Sequence, residues 1–167
     1  MALFINIKTI CLGLLLFVSS LCYANSSHNI YMMTLSILSY AKWNISNPTL
    51  CIIENEQAAT AFSQAMRSQG LTFQIKTISS DQLSSKPCDA VFFNQSSPES
   101  EQRLINQSFN KSILTFSHNN PECEIGSVFC LYTSKNGNTL FKVNLDSLAK
   151  SKIHVDPRVL LLAKNTE

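Results

Sequence analysis

Four cysteines are the residues of this chain whose type and spacing point most directly to chemistry. They stand at Cys51, Cys88, Cys123 and Cys130, outside an apolar N-terminal segment. A zinc site usually needs cysteines about two to four residues apart, and a thioredoxin-type redox site needs a CxxC at a helix start. Neither spacing occurs among these four cysteines. An even number of cysteines in an exported chain favours two disulfides, and no metal is expected.

No catalytic constellation is visible in the sequence. The three histidines, His28, His118 and His154, are isolated, and neither an HExxH metal motif nor a GxSxG serine elbow occurs. His118 could in principle activate Ser117 as a nucleophile, but a polar loop explains this residue more simply. The four glycines are too scattered for a phosphate-binding loop. These observations favour binding or regulation over an enzyme, and no cofactor is expected.

The composition indicates one globular domain. Of the 167 residues, 45% are hydrophobic and 14% are charged, with a formal net charge of +2. These values exclude a disordered acidic tail and the clustered basic surface of a nucleic-acid-binding protein. Without the first 24 residues the chain has 143 (167 − 24). That length suffices for one domain with one hydrophobic core.

The first 24 residues have the layout of a cleavable signal peptide. Lys8 supplies a positive charge, residues 10–18 form an apolar run, and small residues end it at Cys22 and Ala24. We expect cleavage after Ala24, which leaves residues 25–167 as an exported domain. One alternative is an uncleaved membrane anchor, but the run is shorter than the roughly 20 residues that span a bilayer. Another is a lipoprotein attached at Cys22, where Leu21 replaces the usual small residue.

The third predicted helix has the clearest local signals for a helix start. Ser97 can cap it, and Pro98 has no amide hydrogen to leave unsatisfied. Glu99 and Glu101 stand favourably at the positive end of the helix dipole. Further on, an Asn-Gly pair at residues 136–137 is a strong hairpin signal.

Alternating helix and strand patterns predict an α/β fold. It is expected to be a single layered domain with a central mixed β-sheet flanked by helices, with early strands joined by crossovers and the last two by a hairpin. Helices are predicted at residues 30–43, 56–69, 98–109, 145–150 and 157–163, and strands at residues 50–53, 73–77, 90–93, 113–117, 128–133 and 139–143.

These elements constrain the cysteine pairing without deciding it. Cys51 falls in the first strand and Cys88 just before the third, so the two can pair if those strands are neighbours. Cys123 and Cys130 bracket the entry to the hairpin. Pairings that tie the first strand to the later turn stay open, although they demand a more particular strand order.

Several segments of the chain carry a family resemblance: ILSYAKW at residues 37–43, CDAVFF at residues 88–93, CEIGSVFCL at residues 123–131, FKVNL at residues 141–145 and DPRVLLLAK at residues 156–164. Together they resemble the YfiR family, periplasmic regulators of a membrane diguanylate cyclase in Gram-negative bacteria, over essentially all of residues 25–167. The family pattern of cysteines is matched. The resemblance therefore implies the disulfides Cys51–Cys88 and Cys123–Cys130.

The resemblance also implies a regulatory role without catalysis. In YfiR systems the periplasmic protein represses YfiN, an inner-membrane enzyme that makes cyclic di-GMP, by engaging its periplasmic sensor portion. YfiB, an outer-membrane lipoprotein, sequesters YfiR and relieves repression, which promotes biofilm formation and reduces motility. We accordingly expect this chain in the periplasm, with a YfiN-like cyclase and a YfiB-like lipoprotein as partners. An inhibitor of this kind needs only to bind the inactive conformer of the sensor better than the active one.

Two patches are candidates for partner binding. Tyr40 and Trp43 are amphipathic aromatics near the end of the first predicted helix, and such residues often anchor interfaces. Val159 and Leu160 belong to a final helix that is apolar on all sides. Packing in the hydrophobic core, without any partner, would also explain the apolar character of each of these two pairs. A homo-oligomer is left open.

Two other classes of function are also left open. A periplasmic small-molecule-binding sensory module would show a ligand-induced thermal shift. A hydrolase would have an activity that disappears when His118 or Ser117 is replaced.

Overall fold

The computed structural model describes residues 27–108 and 112–164, so the predicted signal peptide lies outside the described residues. Its helices are α1 (Ser27–Ser39), α2 (Glu56–Gln69), α3 (Pro98–Gln107), α4 (Leu145–Ser151) and α5 (Pro157–Lys164), and a 3₁₀ helix spans Ser80–Ser84. Its strands are β1 (Thr49–Ile53), β2 (Gln74–Ile78), β3 (Ala90–Phe93), β4 (Leu114–Ser117), β5 (Phe129–Thr133) and β6 (Thr139–Val143).

The six strands form one mixed sheet in the order β2-β1-β3-β4-β5-β6. Neighbours from β2 to β5 run parallel, and β6 pairs antiparallel with β5. A first strand flanked by the second and third is typical of doubly wound α/β sheets. The predicted class, the mixed sheet with flanking helices and the closing hairpin are confirmed.

The central strands are apolar along their length because both faces of the sheet are covered. Every residue of β1, β3 and β4 is buried, as expected of parallel strands between two layers. One face contributes Leu50, Phe92 and Phe116 to the larger core, which α1, α2 and α5 cover. The other face supports a smaller core, in which Leu83 of the 3₁₀ helix and Leu104 of α3 are buried.

Local capping explains where the second and third helices begin and end. The Asn55 side chain accepts a hydrogen bond from the Ala58 amide (2.7 Å) at the start of α2. Gly70 ends α2 with a φ of 64°, a left-handed conformation that glycine adopts without a steric penalty. The hydroxyl of Ser97 caps α3, and Pro98 occupies its first turn, as predicted.

The first helix ends earlier than its apolar pattern predicts. It stops at Ser39, four residues before Trp43. Ala41 forms an antiparallel bridge with Val155, and the Trp43 indole donates a hydrogen bond to the Leu38 carbonyl (3.0 Å). These contacts turn the chain out of the helix. Because the Ala41–Val155 bridge involves a segment more than a hundred residues away, the local pattern cannot report it.

Two disulfides connect the described cysteines as the family resemblance implies. Cys51 and Cys88 are bonded with their Cα atoms 5.8 Å apart, and Cys123 and Cys130 with theirs 5.7 Å apart. All four are buried. The first bridge follows from the strand order, because β1 lies beside β3 and Cys88 stands just before β3.

We expect the two disulfides to differ in their contribution to stability and in their ease of reduction. The Cys51–Cys88 bridge joins residues 37 positions apart and is worth about 3.9 kcal/mol on the chain-entropy model. The Cys123–Cys130 bridge spans 7 positions, for about 2.5 kcal/mol. Its short loop also keeps the thiols close. Cys123–Cys130 should therefore form earlier and resist reduction, while Cys51–Cys88 should open first.

Titration with dithiothreitol, followed by trapping of free thiols and peptide mass mapping, measures both bridges in one sample. Simultaneous reduction of the two pairs would contradict the expected order.

Candidate functional site

The connection between β4 and β5 is unusual for a parallel pair of strands. Parallel neighbours usually need a crossover of about a dozen or more residues, most often containing a helix. Here residues 118–128, all described, make the connection without a helix. We call this segment the β4–β5 loop. It contains Cys123, and Cys130 follows it in β5.

A buried carboxylate holds this loop against the start of α3. Glu101 lies in the first turn of α3 and is 0% exposed. Its carboxylate accepts hydrogen bonds from the hydroxyls of Ser117 (2.5 Å) and Ser127 (2.9 Å). The Ser127 amide (3.2 Å) and the Asn120 side-chain amide (3.4 Å) also donate to it. One side chain thus connects α3, the end of β4 and both ends of the loop.

The electrostatics of Glu101 reflect burial among neutral donors. Burial raises the pKa of Glu101 above its ordinary value, and the hydrogen bonds from Ser117, Ser127 and Asn120 oppose only part of that rise.

The sequence pattern places both Glu99 and Glu101 at the positive helix end without distinguishing them. The structure leaves Glu99 exposed and buries Glu101, because only Glu101 is directed toward the sheet and the loop.

Asn120 and Gly126 determine the path of the loop backbone. The Asn120 side chain accepts from the Cys123 amide (3.1 Å) and donates to the Ile125 carbonyl (2.7 Å). Gly126 has a φ of 87°, and a Cβ atom there would lie 2.8 Å from a Glu101 carboxylate oxygen. Glycine is therefore required at residue 126 for both its conformation and its close approach to Glu101.

The start of α4 holds the same loop from its other side. Asn144 caps α4 by accepting from the Ser147 amide (2.9 Å), and it also donates to the Glu124 carbonyl (2.8 Å). The Ser147 hydroxyl donates to the Gly126 carbonyl (2.8 Å). The loop is thus held by side chains from two helices as well as by its disulfide.

Ser117 and His118 do not form the nucleophile pair considered from the sequence. Ser117 is fully buried, and its hydroxyl donates to Glu101. The side chain of His118 is exposed. The arrangement provides no accessible serine with a histidine base.

The residues predicted to bind a partner divide between surface and core. Tyr40 is exposed, and the Arg158 guanidinium lies over its ring, 5.8 Å from the centroid. Trp43 is partly buried, with its ring 6.3 Å from that of Phe73. Leu160 is partly buried against the larger core.

Val159, a candidate for partner binding in the sequence, is buried instead. It is only 2% exposed and belongs to the larger core, because this side of α5 faces the sheet. The exposed leucines of α5 are instead Leu161 (60%) and Leu162 (58%). They lie three and four residues after Arg158, a spacing that places all three on one helix face. We call Tyr40, Arg158, Leu161 and Leu162 the α5 surface.

Two cavities differ in what they could hold. A small, mostly apolar cavity lined by residues such as Ile105 and Val128 has a volume of about 40 Å³, too small for a metabolite. A cavity of about 290 Å³ lies where the chain segments before β1 and before α5 meet. Lys42, Trp43 and His154 line it. Its size is near the lower end of small-molecule sites, roughly 300 Å³.

The described residues contain neither a cluster of metal ligands nor a membrane-spanning helix. Within residues 27–108 and 112–164, no three His, Cys, Asp or Glu residues lie close enough together to hold a metal ion. No helix of those two ranges has the length and apolar character needed to cross a bilayer.

Comparison with known proteins finds a matching family model and a solved structure with a similar fold. A family model described as YfiR/HmsC-like matches residues 31–164. Among solved structures, the chain is similar to a conserved domain protein from Vibrio cholerae O1 biovar El Tor, with a TM-score of 0.58 and 11% sequence identity. The match covers 80% of this chain and 58% of the Vibrio cholerae chain. At that identity the likeness shows the fold alone.

Replacing Glu101 should change how stability depends on pH. Because the pKa of Glu101 is raised in the folded state, its favourable contribution is complete below its ordinary value of 4.5 and is lost as pH rises through the folded pKa. Glu101→Gln removes the charge and keeps one acceptor. The free energy of unfolding of the variant, relative to that of the wild type, should therefore increase with pH. A difference that does not depend on pH would only shift the whole curve.

Urea unfolding between about pH 4 and about pH 8 measures this difference. Glu99→Gln, on the same helical turn but exposed, is the matched control. Parallel pH curves for the wild type and Glu101→Gln would contradict the expectation. Glu101→Ala should be less stable by about 1–3 kcal/mol or more, because it leaves buried donors without an acceptor.

Proposed function

Because the chain belongs to the YfiR/HmsC-like family, we propose that it is a periplasmic regulator of cyclic di-GMP signalling that represses a YfiN-like inner-membrane diguanylate cyclase. The observation that carries the proposal is the family match over residues 31–164, which takes in nearly all the described residues. Repression lowers cyclic di-GMP and with it biofilm formation. The protein itself acts by binding rather than by catalysis.

The two buried disulfides support the periplasmic location. Structural disulfides form and persist in oxidising compartments and are rare in the bacterial cytosol. The bridges Cys51–Cys88 and Cys123–Cys130 are both formed here. A fold that contains them is suited to the compartment into which the sensor region of an inner-membrane cyclase would project.

Repression requires only a difference in affinity. If the chain binds the inactive conformer of the sensor ten times more tightly than the active one, a difference of about 1.4 kcal/mol, the equilibrium shifts by up to tenfold toward inactivity. A YfiB-like outer-membrane lipoprotein would relieve repression by mass action, because chain bound to the lipoprotein is withdrawn from the cyclase.

We assign the contact with the cyclase to the α5 surface. Its two exposed leucines share a helix face with Arg158, whose guanidinium lies over the Tyr40 ring. Tyrosine and arginine are enriched among the residues that dominate binding energies, and adjoining apolar side chains exclude water around them. Asp156 holds Arg158 in place through a 2.6 Å ion pair. The surface therefore presents an apolar patch with a preorganised cation.

Charge placed on this patch should abolish repression. In a strain lacking the gene, cyclic di-GMP should rise, and wild-type protein should restore the low level. The double variant Leu161→Asp/Leu162→Asp should fail to restore it at equal periplasmic abundance, because the carboxylates would have to be desolvated on binding. Leu145→Asp, at an equally exposed leucine (64%) that begins a different helix, is the control and should repress normally.

The outcomes separate the two parts of the proposal. An unchanged cyclic di-GMP level in the deletion strain, with the cyclase demonstrably expressed, would refute the regulatory function. Full repression by the double variant would refute only the assignment of the α5 surface.

The cavity of about 290 Å³ favours a second candidate, a small-molecule-binding sensory module. Lys42, Lys152 and His154 line it together with the indole of Trp43. The carboxylate of Asp89 lines it too, but one of its oxygens already accepts a hydrogen bond from the Thr49 amide. The basic groups and the indole suit an anionic, partly planar ligand. Anionic metabolites should then raise the melting temperature at about millimolar concentration, and Lys42→Ala should reduce the shift. The absence of any shift across such a panel would count against this candidate.

A further inference from the structure

Cys123 has a backbone conformation that needs external support. Its φ is 58°, in the left-handed region that residues other than glycine rarely adopt. Such a conformation is unfavourable and persists only where surrounding contacts hold it. The contact here comes from Asn120, whose side-chain oxygen accepts a hydrogen bond from the Cys123 amide. Asn120 is itself held by Glu101 and by the Ile125 carbonyl.

The partner cysteine is placed by the same carboxylate. Cys130 lies opposite Ser117 in the pairing of β5 with β4. The Ser117 hydroxyl donates to one oxygen of Glu101, and the amide and hydroxyl of Ser127 donate to the other. Glu101 thus reaches Cys123 through Asn120 and Cys130 through the strand that pairs with it.

We propose that Glu101 is a positioning residue for the Cys123–Cys130 disulfide, so that the folded β4–β5 loop is the template on which this bond forms. The hydrogen bonds described above, with those from Asn144 and Ser147, hold the loop in its native path by contacts that do not involve either sulfur. The disulfide therefore closes a loop that is already shaped. None of the hydrogen bonds of Glu101 named above involves Cys51 or Cys88.

The chemistry needs only a small disulfide as oxidant. One cysteine thiolate attacks oxidised glutathione, forms a mixed disulfide and releases one glutathione thiolate. The second cysteine thiolate then attacks the mixed disulfide at the protein sulfur and releases the other. Two cysteine sulfurs are oxidised, two glutathione sulfurs are reduced, and the two thiol protons end on glutathione or in solvent. Glu101 transfers no proton, and it acts by keeping the second thiol near the first.

The test follows closure of the two bridges separately in the same molecule. The purified chain is reduced without denaturant and re-oxidised with oxidised glutathione. Free thiols are then alkylated at set times and mapped by peptide mass. Glu101→Ala should slow formation of Cys123–Cys130 by about tenfold, while Cys51–Cys88 should close at a rate within about twofold of the wild type. Glu101→Gln, which keeps an acceptor, should recover much of the rate, and Glu99→Ala should behave as the wild type.

Closure of Cys51–Cys88 in the same molecule is the reference for closure of Cys123–Cys130. Wild-type closure of Cys123–Cys130 in Glu101→Ala would overturn it, and so would equal slowing of both bridges, which would indicate general loosening. If Glu101→Ala does not fold, Asn120→Ala replaces it, because this variant removes the link between Glu101 and Cys123 and leaves the carboxylate in place. Selective slowing of Cys123–Cys130 is expected there too, and its absence would overturn the proposal.

Discussion

Joining two parallel strands without a helix is the constraint on which this end of the fold depends. The chain must return from the end of β4 to the start of β5 within residues 118–128, and an irregular segment of that kind has backbone groups that no helix satisfies. The buried carboxylate of Glu101 provides the missing organisation by accepting from three residues of β4 and the loop. A buried charge is costly unless it is hydrogen-bonded, and here donors on Ser117, Asn120 and Ser127 satisfy the carboxylate.

The two faces of the sheet are stabilised in different ways. Helices α1, α2 and α5 cover the larger core, and each of them buries apolar residues there. The opposite face has a smaller core beneath α3 and the 3₁₀ helix. The polar network around Glu101 connects the start of α3 to the loop. Apolar packing thus stabilises one face. The other face also uses hydrogen bonds and disulfides, because Cys51 and Cys88 belong to the smaller core and Cys123–Cys130 closes the β4–β5 loop.

Regulation by binding is compatible with a fold of this kind. A protein that acts by selecting one conformer of its partner needs a rigid surface more than a catalytic cleft. In the α5 surface, two exposed leucines share a helix face with Arg158, whose guanidinium lies over the Tyr40 ring. Val159 anchors the inner side of that helix in the core. The rigidity of the surface comes from the core beneath it.

The sequence by itself determined the type and order of the elements, because caps, apolar periods and turn residues act within a few positions. Gly70, the Ser97–Pro98 helix start and the hairpin at residues 136–137 are signals of this kind, and the cysteine pattern with its neighbouring segments indicated the family. Only the tertiary structure decided which members of a local pattern are buried. Glu99 and Glu101 share one helical turn, and Val159 and Leu161 share one apolar helix, yet each pair divides between core and solvent. The division depends on strand order and on which helix face meets the sheet, and distant parts of the chain set both.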